Sequence, residues 1–219
     1  MTATQFTFIF VAALALTTFA KLWLARRHLA HISAHRAAVP EAFREKIALP
    51  DHQKAADYTS AKTRFGMLGM VFDAALLLAL TLAGGIQFIS DLCRGWLSAP
   101  LAQGMATIVA VLLLSSLLEA PFSLYRTFVI EARFGFNKTT LRLYLTDALK
   151  GLLLGAILGL PLLFGVLWLM ERMGGYWWLY VWLVWVVFNL LILFIYPSFI
   201  APLFNKFSPL QDEAMKARI

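Results

Sequence analysis

Five long apolar runs set the pattern of this chain, at residues 5–24, 66–89, 101–120, 149–170 and 177–200. Each is close to the roughly 20 residues that a helix needs to cross a bilayer. The pattern predicts an all-α, polytopic membrane bundle of five transmembrane helices. The opening "MTATQ" carries no basic residue and the cationic cluster comes after the first run, the reverse of a secretory signal peptide, so the first helix reads as uncleaved. The third connection, "APFSLYRTFVIEARFGFNKTTLRLYLTDALK" (120–150), mixes Phe, Tyr and Leu with regularly spaced charges. It predicts a helical extension of the third span, a turn at Gly135 and a new helix capped by Asn137. Leu141, Leu145 and Leu149 then keep one face apolar up to the fourth span.

Composition strengthens that picture. The chain is 61% hydrophobic and 14% charged, against about 45–50% and about 25% in a soluble domain. One cysteine, Cys93, excludes an internal disulfide framework. A net charge of +7 raises nucleic acid as a partner, but the placement of the charges argues against it. Lys and Arg number nine in the first connection, five in the third and three in the C-terminal tail; the second and fourth connections hold one each and the N-terminus none, so 17 of 19 fall on alternate sides of a five-span weave. The positive-inside rule then puts the N-terminus outside and the first connection, third connection and C-terminus in the cytoplasm. Tyr176, Trp177 and Trp178 fall where the fifth span would enter, and Tyr196 near its other end, the interfacial positions such rings favour. The basic charge is topological and can also attract anionic lipid. The compact loops point to the inner (cytoplasmic) membrane of a bacterium, with the lipid bilayer as partner and no nucleic acid.

Candidate chemistry is sparse. "HLAHISAH" sets His31 and His35 at i, i+4 with His28 a turn earlier, but a zinc peptidase needs a Glu after the first histidine and this chain has Ile32 there. Arg26, Arg27 and Arg36 flank the cluster and disfavour another cation, so a solvated basic helix is the better reading. Asp73 lies within the second span, where an ionisable side chain is costly and faces a bundle interior or water. It reads equally as the polar lining of a chamber and as a protonated or hydrogen-bonded acid near the cytoplasmic third of the span. Glu119, beside Pro121, ends the third apolar run. Gly151, Gly155 and Gly159 form a stripe on the fourth helix that reads as internal helix packing ahead of a homodimer contact, and Pro161 should kink that helix.

The tail "YPSFIAPLFNKFSP" has Pro197, Pro202 and Pro209, which disrupt a regular helix interior, and more apolar residues than an exposed linker carries. Ser208, Pro209 and Gln211 form a helix-start signal, yet only 11 residues follow the serine. These features predict a five-helix membrane domain over 1–207 and a new helix begun over 208–219, which a resemblance to a known family identifies as the start of a further, truncated domain.

The segments "FSLYRTFVIEARFGFNKTTL" (122–141), "LLGAILGLPLLFGVLW" (153–168) and "YPSFIAPLFNKFSPLQD" (196–212) resemble the type I CAAX prenyl proteases, integral-membrane zinc metallopeptidases; "YTSAKTRFGML" (58–68) fits the same family. The resemblance implies that these helices are the N-terminal membrane domain of a zinc metalloendopeptidase. They would form chamber wall and substrate access, with peptide or prenylated protein as substrate. A C-terminal catalytic domain carrying H-E-x-x-H would hold the zinc, which polarises the peptide carbonyl and activates water. No zinc ligand or catalytic residue of the family falls on this chain, which is expected to bind no cofactor and to be inactive alone. Asp73, Glu119, Arg126, Glu131, Phe134, Asn137, Asn205 and Lys206 are the candidate chamber or interdomain residues. The rival class is a non-catalytic scaffold or a transporter-like bundle. A transporter should show an inverted repeat that matches Asp73, and Asn189 is too weak a partner for that.

Overall fold

The computed structural model describes residues 2–205, 207 and 213–216, and every regular element among them is helical. Helix α1 (Ala3–His35) is followed by a short 3-10 turn, then α2 (Leu49–Thr81), α3 (Gly85–Trp96) and α4 (Pro100–Tyr125). A π-helical turn at Arg126–Glu131 joins α4 to α5 (Ala132–Phe134). Next come α6 (Leu141–Arg172), α7 (Trp177–Ile195), a second π-helical turn at Tyr196–Ile200, α8 (Ala201–Phe204) and α9 (Glu213–Lys216). Five segments are long and apolar enough to cross a membrane: Ala3–His35, Leu49–Thr81, Pro100–Phe134, Leu141–Arg172 and Gly174–Phe204. The number and order of the expected spans are therefore found. Lys206 and the helix start expected at Ser208 lie outside the described residues.

Local chemistry explains the ends of these helices. Thr2 caps α1 by accepting from the Gln5 N–H, while the Gln5 side chain accepts from the Thr2 N–H, a reciprocal capping box. Helix α2 begins with Pro50 and Asp51 in its first turn, where a missing N–H costs nothing and an acid suits the dipole. Both α1 and α2 have 33 residues, about 50 Å at 1.5 Å per residue, so their charged ends project well past a hydrocarbon core of about 30 Å.

Two boundaries differ from the hydropathy reading. The apolar run 66–89 is not one span: α2 ends at Thr81, Gly84 adopts φ 81°, and α3 starts afresh at Gly85. A left-handed residue breaks the chain there although hydrophobicity continues through it, and glycine occupies that region without a steric cost. The cap of α6 is also not Asn137. Gly135 turns with φ 78°, and the N–H groups of Phe136 and Asn137 both return to the Glu131 carbonyl, at 2.9 and 3.2 Å. The Asn137 side chain then accepts from Thr139 N–H at 2.7 Å, and Thr140 caps α6 through the Leu143 N–H. Asn137 makes an Asx turn, a competing use of the same side-chain oxygen.

The chain forms two compact units. The first contains α1–α3 and the stretch Ala106–Thr139; the second contains Ala99–Met105 and the described residues from Thr140 onward. In the first, α2 packs against α1, α3 and the π-helical turn. Arg36, just past α1, donates twice to Asp57 on α2, both bonds at 2.7 Å, and His52 on α2 lies 3.0 Å from the His35 carbonyl. The hydrogen bond to Asp57 and then its charge raise the Arg36 pKa above the ordinary guanidinium value. In the second unit α6 packs on α7, and Lys150 Nζ on α6 donates to the Leu203 carbonyl of α8 at 2.9 Å. Few apolar side chains are buried in protein: Ala25, Val39 and Ile130 in one unit, Leu169, Ile200 and Ala201 in the other. Leu193 and Phe194 on α7 remain 74% and 78% exposed, as lipid-facing residues do.

Gly85 starts α3 where its backbone nearly touches the last turn of α2: a Cβ there would lie 2.8 Å from the Ala79 carbonyl oxygen and 2.9 Å from the Leu80 Cα. Gly85→Ala is expected to destabilise the detergent-solubilised chain by about 1–3 kcal/mol, because backbone must move. Gly95→Ala in the same helix meets open space and should be neutral or stabilising by up to about 1 kcal/mol. Denaturant unfolding followed by circular dichroism checks the pair, and equal stabilities would contradict the close approach.

Candidate functional site

A concavity of about 830 Å³ lies within the first unit, between α2 and the far half of α4. On α2 its wall runs through Tyr58, Lys62, Gly66, Gly69 and Asp73, one helical stripe from residues spaced three or four apart. From the other side come Glu119, Phe122 and Ser123 on α4 and Arg126, the first residue of the π-helical turn. Three residues singled out in the sequence, Asp73, Glu119 and Arg126, thus share one recess. None of the three makes a hydrogen bond or ion pair to another described residue.

An aromatic seam holds this recess in shape. Tyr58, Phe65 and Phe72 recur every seven residues on α2. Phe65 stacks on Tyr125 with centroids 4.7 Å apart, Phe72 lies 4.7 Å from Phe122, and Tyr58 meets Phe134 at 5.5 Å and Phe136 at 4.7 Å. Ring pairs at these separations add attraction beyond their buried area. The seam keeps α2 against the α4–α5 segment while small residues, Gly66 and Gly69, leave room beside it. A Cβ on either glycine would meet nothing within 4 Å.

The recess is polar where the basic connections pass into the apolar runs. It holds Lys62 and Arg126 against Asp73 and Glu119, two cations and two anions. Asp73, within the second apolar run, requires water or a partner there, since hydrocarbon offers neither. Chemically the site can accept and donate hydrogen bonds and balance charge. Among the described residues no cluster of three or more His, Cys, Asp or Glu could hold a metal ion. His31 and His35 place their rings 4.2 Å apart, and His35 Nδ1 faces the His31 carbonyl at 2.9 Å.

The other sequence candidates lie elsewhere. Phe134 borders a smaller recess of about 430 Å³, with Arg36, Arg64, Arg133 and Asp57 around it. Glu131 contributes its carbonyl to the turn at Gly135, and Asn137 its Asx turn. Asn205 ends α8, its N–H donating to the Ala201 carbonyl, in the second unit. At Gly151, Gly155 and Gly159 a Cβ would meet no atom within 4 Å, so among the described residues the stripe is an open face. Lys62, Tyr58 and Ser123 were missed by sequence reasoning. The signal for Lys62 was its place on the stripe that ends at Asp73.

The family described as CAAX prenyl protease N-terminal, five membrane helices, matches residues 28–206. A Caenorhabditis elegans protein named CAAX prenyl protease 1 homolog is 34% identical over 214 residues, covering 96% of this chain and 47% of that protein. A Schizosaccharomyces pombe protein named probable CAAX prenyl protease 1 is 31% identical over 212 residues, covering 90% of this chain and 44% of its own length. The crystal structure of S. mikatae Ste24p superposes with a TM-score of 0.86 at 26% identity, over 95% of this chain and 50% of that one. The chain thus spans about half the length of the relatives it matches. The five spans and this match make it an integral membrane protein. These relatives are eukaryotic and give the expectation of a bacterial inner membrane no support.

If the recess is wet, a thiol inside it must ionise and react, whereas one facing lipid cannot. In a background with Cys93→Ser, Asp73→Cys and Glu119→Cys should react with a small water-soluble thiosulfonate at least about tenfold faster than Leu193→Cys, in proteoliposomes. Equal rates at all three positions would mean that Asp73 faces hydrocarbon.

Proposed function

Because this chain belongs to the CAAX prenyl protease family as its five-helix N-terminal membrane domain, we propose that it supplies the membrane wall and substrate entrance of a zinc metalloendopeptidase. The observation that carries this reading is the charge-balanced recess in which Asp73 and Glu119 of the apolar runs meet Lys62 and Arg126 of the flanking connections. A bundle that served only as an anchor would have no use for Asp73 within a span, given its cost. A chamber that admits a peptide needs such groups, because an extended backbone brings unpaired N–H and C=O groups that must be satisfied. The substrate class, peptide or prenylated protein, follows from the relatives' names; a prenyl chain partitions into the hydrocarbon that these spans face.

Zinc is implied for the whole enzyme, and the described residues of this chain do not fit it. The one H-x-x-x-H, His31 to His35, has Ile32 where a glutamate is needed. Its rings lie 4.2 Å apart and tilted, one nitrogen is turned to a backbone carbonyl, and arginines flank it. We assign the ligands to the half of the relatives' length that this chain does not span. Glu131, Phe134, Asn137, Asn205 and Lys206 are proposed to meet that partner segment, which the apolar face Leu141, Leu145 and Leu149 also suits. The N-terminus is assigned to the outside and the basic connections to the cytoplasm, following the Lys and Arg asymmetry. The recess then opens toward the cytoplasmic half, since it runs from Tyr58 to Asp73 on α2, about 22 Å of helix.

Reconstituted in proteoliposomes with a farnesylated peptide, the chain alone is expected to show no chelator-sensitive cleavage; such cleavage by the 219-residue polypeptide would refute the assignment. Co-expressed with the C-terminal half of the C. elegans relative, it should co-purify with that half and restore cleavage. In the restored complex, Glu119→Gln with Arg126→Gln should lower kcat/KM about tenfold, the order of one lost positioning contact, at unchanged zinc content.

A further inference from the structure

The twelve residues of α3, "GIQFISDLCRGW", divide cleanly around the helix. Phe88, Leu92 and Trp96 recur at i, i+4 and i+8 and stand 66%, 51% and 88% exposed. The opposite side carries Gln87, Asp91 and Arg94, which satisfy one another: Gln87 Nε2 donates to Asp91 Oδ1 at 2.8 Å, and Arg94 lies 3.4 Å from the same oxygen. Ile89 and Cys93, between the two on the remaining side, are less exposed. A short helix with one greasy exposed stripe and one charge-balanced stripe is neither a core helix nor a span, since 12 residues reach only about 18 Å.

We propose that α3 lies in the plane of the bilayer surface, with Phe88, Leu92 and Trp96 sunk among the lipid chains and Asp91 and Arg94 turned to water. The occupant of the greasy stripe is lipid because short connections keep α3 at the level where two spans end. Three residues separate it from the end of α2 at Thr81, and three more from the start of α4 at Pro100. Each connection reaches at most about 10 Å, so α3 cannot leave the level at which those spans end. The left-handed turn at Gly84 and the close approach of Gly85 to Ala79 and Leu80 hold its start against the last turn of α2 rather than continuing that axis. Trp96, the most exposed ring, closes the stripe next to the return into the membrane, the depth that indole favours. The polar face carries no net charge, so attachment is by apolar insertion and owes nothing to anionic lipid.

The chain's only cysteine makes the test direct. In a Cys93→Ser background, single cysteines at Phe88→Cys, Leu92→Cys and Trp96→Cys, and at Asp91→Cys for the polar side, are labelled with an environment-sensitive NBD fluorophore in neutral phosphatidylcholine vesicles. The three stripe positions should emit to the blue of position 91. Nitroxides shallow on the lipid chains should quench them more than deep ones, and aqueous iodide should quench them at least threefold less than it quenches position 91. Adding anionic lipid should change none of this. Iodide quenching equal at 92 and 91 would overturn the proposal, as would strongest quenching by deep nitroxides, which marks a buried span. Quenching by neither, which marks a protein partner, would also overturn it. Should one variant fail to retain native helicity by circular dichroism, the other two stripe positions report on the same face.

Discussion

In hydrocarbon a polar group has no solvent to turn to, and this one constraint arranges the whole chain. It forces the backbone into helices, which satisfy their own N–H and C=O groups. It lets large apolar side chains such as Leu193 and Phe194 remain uncovered by protein. It also makes each ionisable side chain inside a span an exception that needs a reason. Asp73 is such an exception, and it shares one recess with Glu119, Arg126 and Lys62 from the ends of the apolar runs. The aromatic seam beside them supplies the adhesion that burial from water supplies in a soluble protein, because lipid is as apolar as leucine and gives helices no hydrophobic reason to associate.

Where the helices depart from regularity, the same constraint applies. Pro121 removes one N–H from α4, and the helix widens into a π turn from Arg126 to Glu131 before ending at Gly135. Pro197 falls inside the second π turn, Tyr196–Ile200. The carbonyls at the far end of that second segment do not go bare: Lys150 supplies a charged donor to Leu203 and lies over the Phe204 ring. A cation at a helix C-terminus suits both the orphan carbonyl and the dipole. The expectation that the proline-rich tail breaks a regular helix is met here by a change of pitch, with the chain remaining helical through Phe204.

Much of this was legible in the chain itself, for a physical reason. Spans announce themselves by composition, which is additive along the sequence, so five runs gave five helices in the right order. Boundaries are set by single backbone conformations, which hydropathy does not register; the run 66–89 therefore concealed the break at Gly84 and the separate α3. Asn137 failed as a cap because its side-chain oxygen has two nearly equivalent uses, and Thr140 was the better placed acceptor for α6. The recess was half visible. Asp73 stood out by its cost, whereas Lys62 hid among the expected basic residues of the first connection, and no pattern in sequence marks which residues of α4 face which residues of α2. The glycine spacing reports that a backbone can be approached, and among the described residues nothing approaches it.

The two ends of α2 then have different tasks, and the placement of polar contacts follows them. Near its start, where water is available, the helix is clamped to α1 by the double hydrogen bond of Asp57 to Arg36 and by His52 at the His35 carbonyl. Exposed pairs of this kind are worth little individually, but two at the same junction fix the entry of the helix in register. Toward its end the helix has only van der Waals contact to rely on, and there the backbone comes within touching distance of α3 at Gly85. Between these ends runs the stripe from Tyr58 to Asp73 with its ring contacts on one side and its ionisable groups on the other. A rigid, well-anchored helix is the element on which charges can be held apart from lipid without collapsing onto one another. That is why the polar recess is built on α2, the helix fixed at both ends, and why loosening either end should disturb the recess before it disturbs the fold.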